Sequence, residues 1–230
     1  MNKIPTAPRW LIYFFQSVGY FFFLILMKIF VRLEVVGKEK IKKVKGPIIL
    51  SPNHTSELDV MILPATLPFS SYRQPIYFVT NPDNKFKTNF GWRSLIYGEL
   101  FFAILGGYPV RSGFKDYSIA LDLHKKLLEN NETVVIFPEG KRTRDGLLNP
   151  AHGGMGYLAH KTSSTVFPIA IDSFFNISLS QFFLFKRKVT ITVCDPIPPR
   201  DFNFSQNPTV EEYHEAGEKV LGEIKKVINH

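Results

Sequence analysis

The stretch Ser51-Pro52-Asn53-His54-Thr55-Ser56-Glu57-Leu58-Asp59 sets an imidazole and a carboxylate five residues apart. On one continuous helix, five residues turn through about 500°, and the two side chains would point apart. With His54 in a turn and Asp59 in the first turn of a following helix, they can meet. A carboxylate that holds one imidazole nitrogen orients the ring and leaves the other nitrogen to act as a general base. Residues 47–50 read as a short buried strand, and residues 58–67 as an apolar helix closed by Pro68. His54 thus falls where a strand ends and a helix begins, which is where α/β folds place their chemistry. Ser56 and Asp59 are also spaced like a capping box, with Asp for the usual Glu. On this stretch alone a helix cap and a catalytic pair are both open.

A second group of reactive types follows another strand-like run, residues 133–137. It reads Pro138-Glu139-Gly140-Lys141-Arg142-Thr143-Arg144-Asp145-Gly146, with three cations in four residues. Arginine grips phosphate with two parallel N–H donors. Gly140 lets the backbone approach closely or take positive φ. Glu139 paired with Arg142 or Arg144 would preset the fork; a solvated, charge-paired loop is the plainer alternative. Gly106-Gly107-Tyr108-Pro109-Val110-Arg111-Ser112-Gly113 adds one more glycine-flanked arginine, Arg111. His152 and His160 lie eight apart rather than at ligand spacing and read as structural or exposed. His124 sits in a helix, His214 and His230 lie in the tail, and no metal site is indicated.

The elements that must position these groups alternate along the chain. Strand signals fall at residues 48–50, 76–80, 108–110, 133–137, 166–171 and 189–193. Helix signals fall at 58–67, 92–105, 116–130, 153–161 and 209–228. The last opens with Thr209 and Glu212 spaced as a capping box. The pattern predicts an α/β fold: a mixed sheet flanked by helices.

Ahead of it lies an 18-residue apolar run, residues 10–27. As a helix it would be about 27 Å long, close to the thickness of a bilayer core. No small-x-small cleavage site follows it. It reads as a membrane-embedded helix, spanning or re-entrant, with a buried core helix as the alternative. Residues 1–50 hold nine Lys or Arg against two acids, whereas residues 51–230 hold nineteen against eighteen, of a net charge of +8. The basic excess therefore flanks the apolar run. That argues for a membrane surface and against nucleic acid, and it puts the bulk of the chain on the cytoplasmic side. The single Cys194 excludes a disulfide framework and a cysteine zinc cluster.

Four blocks now stand in order: Asn53-His54 with Asp59; Gly106-Gly107-Tyr108-Pro109-Val110-Arg111; Phe137-Pro138-Glu139-Gly140-Lys141-Arg142-Thr143; and Val166-Phe167-Pro168. Together they resemble the glycerophospholipid acyltransferase family, the 1-acylglycerol-3-phosphate acyltransferases, over about residues 30–200. The resemblance implies an N-terminal membrane-embedded segment at 1–31 and an acyltransferase domain at 32–230. It implies that His54 deprotonates an acceptor hydroxyl, oriented by Asp59, and that the hydroxyl attacks an acyl thioester of coenzyme A or acyl carrier protein. It also implies substrate contacts by Asn53, Arg111, Glu139, Gly140, Arg142, Arg144 and Pro168. No cofactor is expected beyond the thioester co-substrate, and no acyl-enzyme, in keeping with the lack of a Gly-x-Ser-x-Gly elbow.

Two departures stand out. Thr143 replaces the usual serine, and Arg111 comes one residue early, leaving Ser112 where the family has arginine. Headgroup recognition then rests mainly on Arg142, with Arg144 behind it. The rival readings are another acceptor, such as glycerol 3-phosphate or a different lysolipid, and a non-catalytic membrane-anchored lipid-binding protein. A scaffold has no reason to keep His54 and Asp59 alongside Glu139 and Arg142.

Overall fold

The computed structural model describes residues 6–56, 59–67, 73–80, 99–111, 116–172, 175 and 188–228. In chain order its main elements are α1 (Arg9–Phe30), β1 (Leu33–Val36), α2 (Glu39–Lys42), β2 (Ile48–Pro52), α3 (Asp59–Ile62), β3 (Ile76–Thr80), α4 (Glu99–Ile104), β4 (Gly107–Pro109), α5 (Tyr117–Ala120), α6 (Asp122–Glu129), β5 (Thr133–Val135), α7 (Gly154–Thr162), β6 (Thr165–Asp172), β7 (Val189–Val193) and α8 (Val210–Lys225).

The seven strands form one sheet in the order β1-β7-β6-β2-β5-β3-β4. From β6 to β4 the neighbours run parallel; β7 turns antiparallel to β6, and β1 follows β7. This is the mixed α/β sheet that the alternation predicts. Side chains alternate between two apolar layers, as the two-residue strand period requires. Ile49, Tyr77, Val134 and Val166 face α6, α7 and α8. Ile48, Leu50, Ile76, Val135 and Phe167 face Met27 of α1, Ile41 of α2 and Ile62 of α3. Strands buried on both faces read as continuous apolar runs, which is why residues 48–50 and 133–135 carry no alternation.

Several elements differ from the sequence reading, each for a local reason. The helix expected over 58–67 is one turn of α3 followed by a 3-10 turn, Leu63–Thr66. Pro64 has no N–H to donate, and its ring crowds the preceding turn of an α-helix. The helix expected over 116–130 breaks at Leu121 into α5 and α6. There the Ala120 carbonyl is taken by the N–H of Arg111. The strand β1 and the short α2 fall in the lysine-rich stretch, where charge masks a half-exposed edge strand. Helix α8 opens as expected: Glu212 N–H donates to Thr209 Oγ1, and Thr209 N–H to Glu212 Oε2. Residues 92–98 of the helix expected over 92–105 lie outside the described residues, as does all but Phe175 of residues 174–185, a run with five phenylalanines; Phe175 packs against Gly146.

Helix α1 does not stand off from the sheet. At its start the Ala7 N–H donates to Tyr108 Oη, and Arg9 bonds the Gln74 carbonyl and pairs with Glu132. Midway, Gln16 donates from Nε2 to the Ile76 and Leu105 carbonyls, and its Oε1 accepts the Ile76 N–H. Near its end Met27 is buried, and the Val31 carbonyl accepts from Val189. The opposite face presents Trp10, Phe14, Val18, Phe21, Phe22, Ile25 and Ile29 to the outside.

Candidate active site

The site forms where β2 and β5, hydrogen-bonded neighbours, run out at their carboxyl ends. Ser51 Oγ donates to the Ile136 carbonyl and ties the two ends together. Asn53, only 2% exposed, does the same toward β6. Its Nδ2 donates to the Ile171 carbonyl at 3.0 Å, and its Oδ1 accepts the Ile171 N–H at 2.7 Å. The Asn53 amide is thus occupied by β6.

From this anchor the chain turns at His54 and reaches Asp59, which is completely buried. Asp59 Oδ2 lies 2.9 Å from His54 Nδ1 and accepts the N–H groups of Thr55 and Ser56 at 2.7 and 2.9 Å. Asp59 Oδ1 accepts the Thr55 hydroxyl at 3.1 Å. A buried carboxylate requires such donors. The two readings of this stretch are therefore one arrangement: the carboxylate that holds the Ser56 N–H, as half a capping box, is the one that faces His54. An ionised carboxylate only accepts, so a neutral His54 carries its proton on Nδ1 and leaves the Nε2 lone pair open.

The second block of cations closes over the first. The His54 ring stacks on Phe137, centroid to centroid 4.0 Å with 24° between planes. Both backbone groups of His54 are held as well: its N–H donates to Glu139 Oε1 at 2.8 Å, and its carbonyl accepts the Thr143 N–H at 2.9 Å. The imidazole keeps 18% of its surface open. Beyond it a tight turn carries the arginines. Thr143 Oγ1 donates to Asp145 Oδ1 and accepts the Gly146 N–H, and Asp145 Oδ1 also accepts the Leu147 N–H. That Leu147 bond, with the Thr143 hydroxyl behind it, holds the Asp145 carboxyl below its usual range. Gly140 and Gly146 take φ of +63° and +91°, which a side chain would strain. Lys141, Arg142 and Arg144 are exposed on this turn.

The remaining candidates sit differently. Glu139 is 1% exposed, and its oxygens accept from His54 and Asn149. Pro168 is buried within β6, in register with Ser51, and its carbonyl accepts the Cys194 N–H. Arg111 follows β4, three strands from β2 and hence about 14 Å across the sheet. Its guanidinium lies 3.9 Å from Asp122, a carboxyl that Lys126 holds below its usual range. The structure thus joins His54, Asp59 and the arginine turn and leaves Arg111 at the side. Among the described residues no three His, Cys, Asp or Glu side chains are grouped to hold a metal ion. Sequence reasoning missed Phe137 as a stacking partner, Thr55 as a donor to Asp59, and Asn149. Only Phe137 carried a signal, as an aromatic at the end of the strand that pairs with the histidine strand.

Comparisons with known proteins bear on the family and the fold of the chain. The sequence pattern of the family described as Acyltransferase matches residues 32–172. Human 1-acyl-sn-glycerol-3-phosphate acyltransferase beta is 26% identical over 221 residues, covering 93% of this chain and 71% of the relative. A 1-acyl-sn-glycerol-3-phosphate acyltransferase of Chlamydomonas reinhardtii is 25% identical over 172 residues; 74% of this chain aligns, with 48% of the algal protein. The crystal structure of the 1-acyl-sn-glycerophosphate (LPA) acyltransferase PlsC of Thermotoga maritima shares the fold, with a TM-score of 0.62 at 21% identity over 92% of this chain and 77% of that one. With the histidine and arginine blocks both inside a match to more than half of its sequence, this chain belongs to the acyltransferase family.

Proposed function

We propose that the enzyme moves a fatty acyl chain from a thioester, of coenzyme A or acyl carrier protein, to a hydroxyl of a lysophospholipid such as 1-acylglycerol 3-phosphate. The observation that carries this is the 2.9 Å pair of His54 and Asp59, braced by the turn that bears Arg142 and Arg144. The open Nε2 of His54 takes the acceptor's hydroxyl proton as its oxygen attacks the thioester carbonyl. The tetrahedral adduct collapses, the C–S bond breaks, and the imidazolium returns its proton to the leaving sulfur. Asp59 stabilises the imidazolium through Nδ1–H. Arg142 and Arg144 take the acceptor's phosphate; Gly140, at φ +63°, gives its side-chain space to the His152 ring and so shapes the turn that bears them. Asn53, Glu139 and Pro168 serve the substrate indirectly, by fixing the strand ends from which His54 projects. Arg111 completes the phosphate site only if an acceptor reaches toward β4.

The lipid substrates call for a membrane site, and α1 suits one lying in the interface plane. Its outward apolar stripe, Trp10 to Ile29, runs about 28 Å, while the other face is held by the sheet at both ends and in the middle. A helix so held cannot turn across a bilayer without leaving its seat. The exposed Lys28, Arg32, Lys38, Lys42, Lys43 and Lys45 follow the stripe, where they meet anionic headgroups on the cytoplasmic side.

The test is free-thiol release by the purified enzyme in detergent, with a panel of lysolipids and glycerol 3-phosphate set against acyl thioesters. Release should require an acceptor, and His54→Ala should lower it by roughly 10²–10⁴ without changing the melting temperature. Full activity of His54→Ala defeats the mechanism. Release without an acceptor makes the protein a thioesterase.

A further inference from the structure

Glu139 is a buried charge whose two oxygens face different partners. Oε1 accepts the His54 N–H at 2.8 Å; Oε2 accepts the Asn149 N–H at 2.7 Å and Asn149 Nδ2 at 2.9 Å. Asn149 therefore supplies two of the three donors that hold this carboxylate. It stands ten residues beyond Glu139, at the far end of the turn that carries Arg142 and Arg144. Its side chain ties the end of that turn to its beginning, and the shared carboxylate passes the constraint on to the backbone of His54.

We propose that Asn149 is a positioning residue for acyl transfer, acting through Glu139 to fix His54 and to close the arginine turn. This rests on His54 being the base, as proposed above. The backbone N–H of residue 149 survives any substitution, so the side chain's own share is the Nδ2 bond. Asn149→Ala removes it and leaves Oε2 with one donor. Asn149→Asp instead sets an acceptor oxygen against Oε2. Two carboxylates so placed cannot both ionise readily; one binds a proton at a raised pKa, and the resulting O–H then donates in place of Nδ2.

Among the described residues, the other titratable or charged groups on the elements around the pair are His54 with its partner Asp59, His152, Glu218, and Asp145 and the cations of the turn. The His152 N–H donates to the Pro138 carbonyl, and Glu218 of α8 accepts the Ala151 N–H. All of these are shared by the variants to be compared.

The test is acceptor-dependent thiol release by the full-length chain, with thermal melts alongside, for wild type, Asn149→Ala and Asn149→Asp between about pH 8.5 and about pH 6. Losing one hydrogen bond to a buried charge should lower kcat for Asn149→Ala about ten- to a hundredfold, by the same factor at every pH. Asn149→Asp should lose more than that at the alkaline end. Its ratio to wild type should then climb at least about tenfold toward the acid end, as the pair takes up its proton. Wild-type kcat in Asn149→Ala overturns the proposal. So does an Asn149→Asp ratio that stays flat with pH once the folded fraction at each pH, read from the melts, is divided out. If Asn149→Ala does not fold, the Asn149→Asp ratio decides by itself. A wild-type enzyme that shows no acceptor-dependent release would instead defeat the assignment of function.

Discussion

His54 is fixed from five sides: Nδ1 by Asp59, the ring face by Phe137, the N–H by Glu139, the carbonyl by Thr143, and the preceding residue by Ile171. As the proposed base, an imidazole held this closely would need no rearrangement to reach its proton. Asp59→Asn tests the pairing itself. An amide oxygen in the place of Oδ2 still accepts the Thr55 and Ser56 N–H groups and still faces Nδ1, but without the charge that would stabilise an imidazolium. The NH₂ then stands at the place of Oδ1, toward the Thr55 hydroxyl. The expected result is a fall in kcat on the order of 10²–10⁴ with the melting temperature little changed; kcat within a few-fold of wild type would show that the carboxylate charge does not matter. His54 and Asp59 were legible in the sequence because reactive types at a strand-to-helix junction are rare. The partners that hold them were not, because a backbone N–H, or an asparagine ten residues past Glu139, carries no compositional mark.

Elements were legible where apolar period and terminal chemistry agreed, as in β3, β7 and α8. They were not where a proline or a diverted carbonyl divides a helix, as at Pro64 and Leu121, or where lysines flank a short edge strand, as in β1. One pairing of elements has a pH signature. His124 of α6 is completely buried against β4, with Nε2 donating to the Tyr108 carbonyl at 3.1 Å. Burial drives its pKa down from 6.5 to about 4, opposed in part by that hydrogen bond. The unfolded chain therefore takes up a proton below about pH 6.5 that the folded chain refuses until about pH 4. Stability from this group is complete above pH 6.5 and falls as the pH drops through that window, by about 3 kcal/mol at the acid end. His124→Gln keeps a donor for Tyr108 without the titration. Thermal melts at pH 7 and pH 5 should show a smaller acid-side drop in Tm for this variant than for wild type; equal drops would place the acid sensitivity elsewhere.

At the scale of the whole molecule, the sheet holds two things: the candidate site at the carboxyl ends of β2 and β5, and an apolar helix on its flank. The composition showed that helix as an 18-residue apolar run but not that one face is bound by protein, because the apolar residues of both faces look alike in sequence. Replacing two outward residues separates the functions. Phe14→Asp with Phe22→Asp should lower partition onto anionic phospholipid vesicles by about a hundredfold or more, since each buried phenyl ring contributes about 2 kcal/mol. Thiol release in detergent should stay near wild type. Unchanged sedimentation with vesicles would remove α1 from the membrane contact.

The amide of Gln16 pairs with both backbone groups of Ile76, as a neighbouring strand would. That fixes the rotational phase of the helix. Gln16 and Met27 are eleven residues apart, almost three whole turns, so both point to the sheet. A single residue inserted between them would rotate everything beyond it by about 100°, carrying Met27 out of its seat and the aromatic stripe toward the protein. Loops elsewhere in this chain can lengthen by one residue at little cost. Between Gln16 and Met27 descent must proceed by substitution, and the length of that interval should pass unchanged from parent to offspring sequence while its aromatic lettering drifts.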